Sequence, residues 1–201
     1  MFVLSLLEDT VLLGPEEVQT QHYEQQLRAA LEQKYINKVV PNCGLVIALH
    51  ALRHVDAPII ALGEGSAHCK VEFTLLVFKP FPGEIMEGDL IASDEKGLRV
   101  TLGFFEDVFL PSSSLREPRG YRADSQRWWW QFDEHKLEYG PLQRPIRFRV
   151  RDVRFIQTPT NKAGTSDWAN PSSAVDCDAS RPMIVLGSVD EDGLGMKAWW
   201  Q

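Results

Sequence analysis

The chain has 201 residues, of which 44% are hydrophobic and 24% charged, a composition ordinary for a globular protein of one or two domains. Its formal net charge of −7 argues against autonomous binding to DNA, because free nucleic-acid-binding domains are usually basic. Three widely spaced cysteines without a C-x-x-C pair argue against a disulfide framework and against a zinc site, and favour a reducing compartment.

The first 80 residues are predicted to form a small α+β unit in the order strand, helix, strand, strand. Residues 2–7 alternate weakly, as in a strand. Pro15 suits the first position of a helix, and the acids after it suit the positive end of the helix dipole. The apolar stripe of this helix consists of Val18, Tyr23, Leu27, Ala30 and Leu31. The apolar run at 44–52 indicates a buried strand, and the alternation at 69–78 a half-buried one.

Residues 81–201 are predicted to form a second, all-β domain, joined to the first where Pro80 and Pro82-Gly83 interrupt the pattern. Short strands are predicted at 85–92, 98–102, 104–110, 146–151 and 183–189. About five strands with turn signals between them suit a barrel of the OB type. Polar and small residues predict long loops at 112–144 and 157–180. The predicted fold class is therefore α+β, a small α+β domain followed by an OB-fold barrel.

The sharpest charged feature is a row of arginines in the strand predicted at 146–151. Alternation places the arginines on one face and Ile146, Phe148 and Val150 on the other. Residues 99–154 hold eleven Lys/Arg against eight Asp/Glu, so the basic character is concentrated there. Such a face could follow a phosphate backbone, or it could be a solvated face neutralised by nearby acids. The candidate RNA-binding residues are Arg147, Arg149, Arg151, Arg99, Lys96 and Phe104.

Two groups of tryptophans are unusual for their position in the chain. Trp128, Trp129 and Trp130 could stack on bases, or one or two of them could anchor a long loop onto the barrel or contact a partner protein. A free chain terminus normally frays unless something holds it. Trp199 and Trp200 near the C-terminus therefore indicate either docking within the molecule or a subunit interface.

The sequence shows no pattern typical of catalysis. The five histidines have no neighbouring Ser or Cys in a known catalytic spacing. Residues 190–193 lack the spacing of a calcium loop, and residues 193–195 lack the third glycine of a dinucleotide-binding loop. No run approaches the roughly 20 apolar residues of a membrane helix. We therefore expect a protein that is not an enzyme, uses no cofactor or metal, and does not cross a membrane.

Several stretches together form a recognisable pattern. Residues 37–45 read NKVVPNCGL, and residues 77–84 read VFKPFPGE. They resemble the helix-to-strand segment and the interdomain hinge of the larger stalk subunit of archaeal and eukaryotic RNA polymerases. Residues 102–111, 146–150 and 193–200 are similar to the polymerase III member of that family rather than to the polymerase I or II members. The resemblance covers nearly the whole chain and departs at 112–144 and 157–180.

The resemblance implies a non-catalytic stalk subunit of DNA-directed RNA polymerase III in the nucleus, with an RNP-like N-terminal domain. It implies a role in transcription initiation and contact with nascent RNA through the OB fold. The implied partners are a smaller helical stalk subunit, which forms a heterodimer with this chain, the polymerase III core, and single-stranded nascent RNA. Candidate residues for docking on the partner or the core are Pro41, Asn42, Lys79, Pro80, Phe81, Trp199 and Trp200.

An alternative from another functional class is a free-standing RNA-binding or RNA-processing factor with an OB domain. Stoichiometry discriminates between the two hypotheses. A polymerase subunit should be purified from its native cell together with large polymerase subunits, whereas a free-standing factor should not.

Overall fold

The predicted α+β class, with an OB-like barrel in the second half, is confirmed. The chain divides into two compact units, Met1–Lys79 and Pro80–Gln201. The structure is a computed structural model, and it describes residues 1–14, 23–60, 63, 65–156 and 181–200.

The first unit is an antiparallel sheet with one described helix. Its strands follow the order β1-β5-β3-β2, and β4 also pairs with β5. The strand predicted at 2–7 continues to Leu13, because Val11 and Leu13 extend the alternation and are buried. The elements are β1 (Phe2–Leu13), α1 (Tyr23–Tyr35), β2 (Val39–Val40), β3 (Gly44–Val55), β4 (Ile59–Ile60) and β5 (Ala67–Phe78).

The core of the first unit lies between α1 and one face of the sheet. Leu27 and Leu31 of the helix are fully buried, as their spacing predicts. They belong to one cluster with the alternate residues of β5, namely Cys69, Val71, Phe73, Leu75 and Val77. The predicted alternation of β5 is therefore confirmed. The predicted helix start at Pro15 and the stripe residue Val18 lie outside the described residues.

A polar network joins the end of α1 to β1. The Asp9 carboxylate accepts hydrogen bonds from Lys34 Nζ and from the Tyr35 hydroxyl, each at 2.5 Å. Burial by itself would raise the pKa of Asp9, but these two hydrogen bonds and one from the backbone N–H of Thr10 outweigh it and lower the pKa. The charged carboxylate therefore stabilises the packing of the helix on the sheet.

The second unit is built from nine strands and two short 3₁₀ helices in its described part. The elements are β6 (Ile85–Asp94), β7 (Gly97–Thr101), β8 (Val108–Pro111), β9 (Arg119–Arg122), β10 (Arg127–Phe132), β11 (His135–Glu138), β12 (Pro145–Phe155), β13 (Met183–Ser188) and β14 (Gly195–Met196), with 3₁₀ helices at Ser112–Ser114 and Lys197–Trp200.

Five of these strands close into a barrel. The order is β13-β8-β7-β6-β12, and pairing of β12 with β13 completes the ring. The β8–β13 pair is parallel, whereas the other four pairs are antiparallel. Closure leaves no free edge in the ring, and alternate residues fill its interior. The side chains of Leu90, Leu98, Val100, Leu110, Phe148 and Val185 are 0% exposed.

Two segments differ from the sequence prediction. The strand predicted at 104–110 begins only at Val108, because Gly103 turns the chain with a φ of +86° and Leu102 N–H donates to the Phe105 carbonyl. Residues 112–144 are not a loop, since β9, β10 and β11 form a three-stranded antiparallel sheet there. The loop predicted at 157–180 lies outside the described residues.

Candidate nucleic-acid interface

The arginine row lies on the outer face of β12, as its alternation predicts. Ile146, Phe148 and Val150 point into the barrel and are at most 1% exposed. Arg147 and Arg149 are half-buried on the opposite face. A β-bulge between Val150 and Asp152 shifts the register at Arg151, so the row is regular over two arginines and irregular at the third.

Each arginine of the row already has a partner within the protein. Arg147 pairs with Glu87 of β6 at 2.6 Å, and Arg149 pairs with Glu191 at 2.7 Å. Arg149 also donates to the Gly83 carbonyl, and Arg151 donates to the Ser114 hydroxyl at 3.0 Å. A phosphate would therefore have to replace carboxylates at two of the three positions.

Glu87 connects the barrel to the C-terminal 3₁₀ helix. Lys197 Nζ lies 2.5 Å from one carboxylate oxygen, and the Arg147 guanidinium contacts the other. The hydrogen bond from Lys197, followed by that from Arg147, lowers the pKa of Glu87. The outer face of β6 and β12 is consequently a mixed ion-pair network rather than a purely positive surface.

The other predicted RNA-binding residues lie around β7. Arg99 is on the outer face of β7, with Asp94 at 4.0 Å, and Lys96 is exposed in the β6–β7 turn. Phe104 is 45% exposed, whereas its neighbour Phe105 is 6% exposed and belongs to the core. Strand β6 separates β7 from β12 in the barrel, so the six candidates form two groups rather than one row.

The three consecutive tryptophans lie on β10 and therefore alternate between its two faces. Trp128 and Trp130 are only 8% and 4% exposed and pack on one side. Their indole N–H groups donate to the carbonyls of Asp94 and Glu117. These two tryptophans anchor the three-stranded sheet, one of the three roles considered for them, whereas Trp129 lies on the other face and is half-buried.

The C-terminal tryptophans contact the same unit. The Trp199 ring lies 5.6 Å from that of Trp130 and 4.7 Å, edge-on, from that of Tyr139. The Trp200 indole donates to the Leu194 carbonyl, yet its side chain is 49% exposed. Trp199 is thus docked within the molecule, and Trp200 keeps an exposed aromatic surface.

The remaining docking candidates lie in two places. Pro41 and Asn42 form an exposed turn between β2 and β3, and the Asn42 carbonyl accepts a hydrogen bond from Lys79 Nζ at 3.0 Å. The structure therefore brings Asn42 and Lys79 together in the first unit. In the second unit Pro80 is buried and Phe81 is 56% exposed.

The described part of the chain contains no cluster of three or more His, Cys, Asp or Glu side chains arranged to hold a metal ion. None of the helices described is long and apolar enough to span a bilayer. The contacts with RNA and with partner subunits stay predictions.

Comparison with known proteins gives one consistent result. A family model described as RNA polymerase III subunit Rpc25 matches residues 84–200, which is more than half of the chain. The DNA-directed RNA polymerase III subunit rpc8 of Schizosaccharomyces pombe is 31% identical over 206 residues, covering 100% of both chains. The corresponding subunit RPC8 of Bos taurus is 32% identical over 204 residues, covering 100% of this chain and 98% of the relative.

Similarity to an archaeal protein is confined to part of the chain. The DNA-directed RNA polymerase subunit Rpo7 of Saccharolobus solfataricus is 32% identical over 73 residues, which is 36% of this chain and 41% of the relative. The model match and the full-length relatives agree with each other and with the sequence resemblance. The chain belongs to the family of RNA polymerase III subunit Rpc25.

Proposed function

We propose that this chain is the larger, non-catalytic stalk subunit of RNA polymerase III and works in the nucleus as part of that complex. The observation that carries the proposal is the full-length similarity to proteins named as subunits of this polymerase. A free-standing RNA-binding factor is not favoured, because the similarity extends over both units rather than over the OB-like barrel alone.

Purification from the native cell tests this proposal. The chain, tagged at its own locus, should be recovered together with the large subunits of RNA polymerase III in near-equal amounts. Subunits specific to polymerases I and II should be absent from the same sample, which serves as the control. Recovery of the chain without any polymerase subunit would contradict the proposal and favour the free-standing factor.

The first unit is proposed to dock on the smaller stalk subunit and the polymerase core. The sheet face opposite α1 supports this role, because Phe2, Leu4 and Leu6 of β1 are 45%, 53% and 63% exposed on it. Neighbouring apolar side chains of this kind mark interaction surfaces. The exposed candidates Pro41, Asn42, Lys79, Phe81 and Trp200 would add to the contacts, whereas Pro80 is buried and Trp199 already packs against Trp130.

The barrel is proposed to contact single-stranded nascent RNA weakly and largely through phosphates. A chain with a net charge of −7 is a poor ligand for nucleic acid when it is free. Tethering to a polymerase supplies a high effective RNA concentration, so weak contacts suffice. The ion pairs of Arg147 and Arg149 are partly exposed and therefore weak, so a phosphate can compete with the carboxylates.

Replacing Arg147, Arg149 and Arg151 together with alanine should weaken binding to unrelated RNA sequences by a similar factor. Three lost phosphate contacts should reduce the log–log salt slope by about 2, at about 0.7 per contact for a single strand. The fold should survive, because Ile146, Phe148 and Val150 keep the buried face of β12. RNA binding measured over a series of salt concentrations checks both the loss of affinity and the change in salt slope.

A variant with the opposite expected effect is the matched control. Glu191→Gln removes the carboxylate paired with Arg149 and should tighten RNA binding, since it frees that guanidinium. If the triple variant folds and binds RNA as tightly as the parent, the arginine row is only a solvated strand face.

A further inference from the structure

The outer face of the three-stranded sheet carries one tryptophan and three basic side chains. Alternation along β10 puts Arg127 and Trp129 on the face opposite the anchoring tryptophans. The cross-strand register adds Arg122 from β9, opposite Arg127. It also adds Lys136 from β11, which pairs with Gln131.

Trp129 lies flat across the sheet rather than standing out from it. It pairs across the strands with Gly120, where an added Cβ would lie only 2.4 Å from Cζ2 of the indole. One ring face is therefore pressed against glycine backbone, and only a residue without a side chain permits this approach. Unlike Trp128 and Trp130, Trp129 donates its indole N–H to no acceptor among the described residues.

The cations around Trp129 outnumber the carboxylates that pair with them. Glu138 is shared by Arg122 at 2.7 Å and Arg127 at 3.4 Å. Lys136 Nζ lies 4.5 Å from the centroid of the Trp129 ring, and no carboxylate is recorded as its ion-pair partner in the described part of the chain. Three cations on this face therefore have a single carboxylate among them as ion-pair partner within the described residues.

A cavity of about 230 Å³ adjoins this face at Arg127. Side chains able to donate or accept hydrogen bonds line much of it, including Ser93, Ser125 and Gln126. The cavity lies between the end of β6 and the turn before β10, and Asp94 also lines it.

We propose that this face is a binding site for single-stranded RNA, in which one base stacks on Trp129 and Arg122, Arg127 and Lys136 contact the backbone phosphates. A flat aromatic ring flanked by cations is the recurring arrangement for single-stranded nucleic acids. A stacked base is generally stronger than an exposed cation–π contact, so a base can displace the Lys136 ammonium, which then stays close to the adjacent phosphate. An acidic peptide would use the cations but not the flat ring.

This site rests on the proposed function, because the polymerase stalk is what would bring the transcript near it. It adds a second surface, distinct from the arginine row of β12. Trp129 and the arginine row lie on different sheets of the second unit, so substitutions can remove one surface and leave the other in place.

The test compares Trp129→Leu with Trp129→Phe in the full chain purified together with the smaller stalk subunit. Leucine still covers Gly120 but cannot stack, whereas phenylalanine keeps an aromatic face. Fluorescence anisotropy with a short labelled oligouridine should show Trp129→Leu binding roughly fivefold to a hundredfold more weakly, the range for loss of one stacked base. Trp129→Phe should stay near the parent. Lys136→Gln should lower the salt slope by about 0.7.

A cross-linking measurement on the unmodified protein does not depend on how the variants fold. RNA containing 5-iodouracil should cross-link to Trp129 and not to Trp128 or Trp130, because those two are buried. If Trp129→Leu binds RNA like the parent while the triple arginine variant binds weakly, the sheet site is wrong and the proposed RNA contact stands. If the unmodified protein binds no RNA, both the sheet site and the proposed RNA contact of the barrel are wrong.

One further outcome would assign the surface to a protein. If Trp129→Leu leaves RNA affinity unchanged but lowers the amount of polymerase recovered with the chain, the face is a subunit contact and the RNA site is overturned.

Discussion

Replacing Trp130 with alanine should lower the free energy of unfolding of the second unit by about 3–5 kcal/mol, the usual range for removing a buried Trp. Trp130 is 4% exposed and packs against the ring of Trp199. The Arg116 guanidinium lies 4.5 Å from its centroid, and its indole N–H donates to the Glu117 carbonyl. The substitution would thus leave a cavity and remove the contacts with Trp199, Arg116 and Glu117.

Urea unfolding followed by tryptophan fluorescence measures this effect in the second unit, since all six tryptophans of the chain follow residue 80. The matched control is Trp129→Ala, one position away and half-buried on the other face of β10. It should change the free energy of unfolding by only about 1 kcal/mol. Equal losses for the two variants would show that Trp129 is also a core residue and would weaken the case for an RNA site.

Replacing Gly97 with alanine should destabilise the barrel by about 2–6 kcal/mol. Gly97 has a φ of +154°, a backbone conformation that costs other residues about 1–3 kcal/mol. A Cβ at this position would also lie 2.1 Å from the carbonyl oxygen of Leu110 on the neighbouring strand β8. Forcing these strands apart adds about 1–3 kcal/mol, as overpacking of a core does. Urea unfolding of the variant measures the total loss of free energy of unfolding.

A substitution at Gly103 separates the cost of the positive φ from the cost of the steric clash. It also has a positive φ, +86°, but a Cβ there would meet no atom within 4 Å. Gly103→Ala should therefore cost only the conformational part, about 1–2 kcal/mol. A Gly97→Ala variant no less stable than Gly103→Ala would show that β7 and β8 can move apart without loss, contrary to a tightly closed barrel.

Elements whose apolar residues repeat at a regular short period could be predicted from the amino-acid sequence alone. The alternation in β5 and β12 and the apolar stripe of α1 can be recognised within short stretches of sequence. This is so because each face of a strand or helix meets a single environment. The general resemblance to stalk subunits was predicted from residues 37–45 and 77–84, and the polymerase III member from residues 102–111, 146–150 and 193–200. The relatives support this family over the full length of the chain.

The sheet formed within residues 112–144, and the outward position of Trp129 in it, depend on tertiary contacts that local patterns do not show. Three tryptophans in a row hide the alternation of β10, since inner and outer positions carry the same residue type. The pairing of Trp129 with Gly120 is a cross-strand register, and register is set by the sheet as a whole.

The ion-pair partners of the arginine row likewise depend on long-range contacts. Arg147 meets Glu87 across β6, and Arg149 meets Glu191 from beyond β13. The side of β12 on which these arginines lie follows from a period of two residues, but their partners come from distant parts of the chain. Local periodicity fixes the face that a side chain occupies, whereas folding of the whole barrel fixes what that side chain contacts.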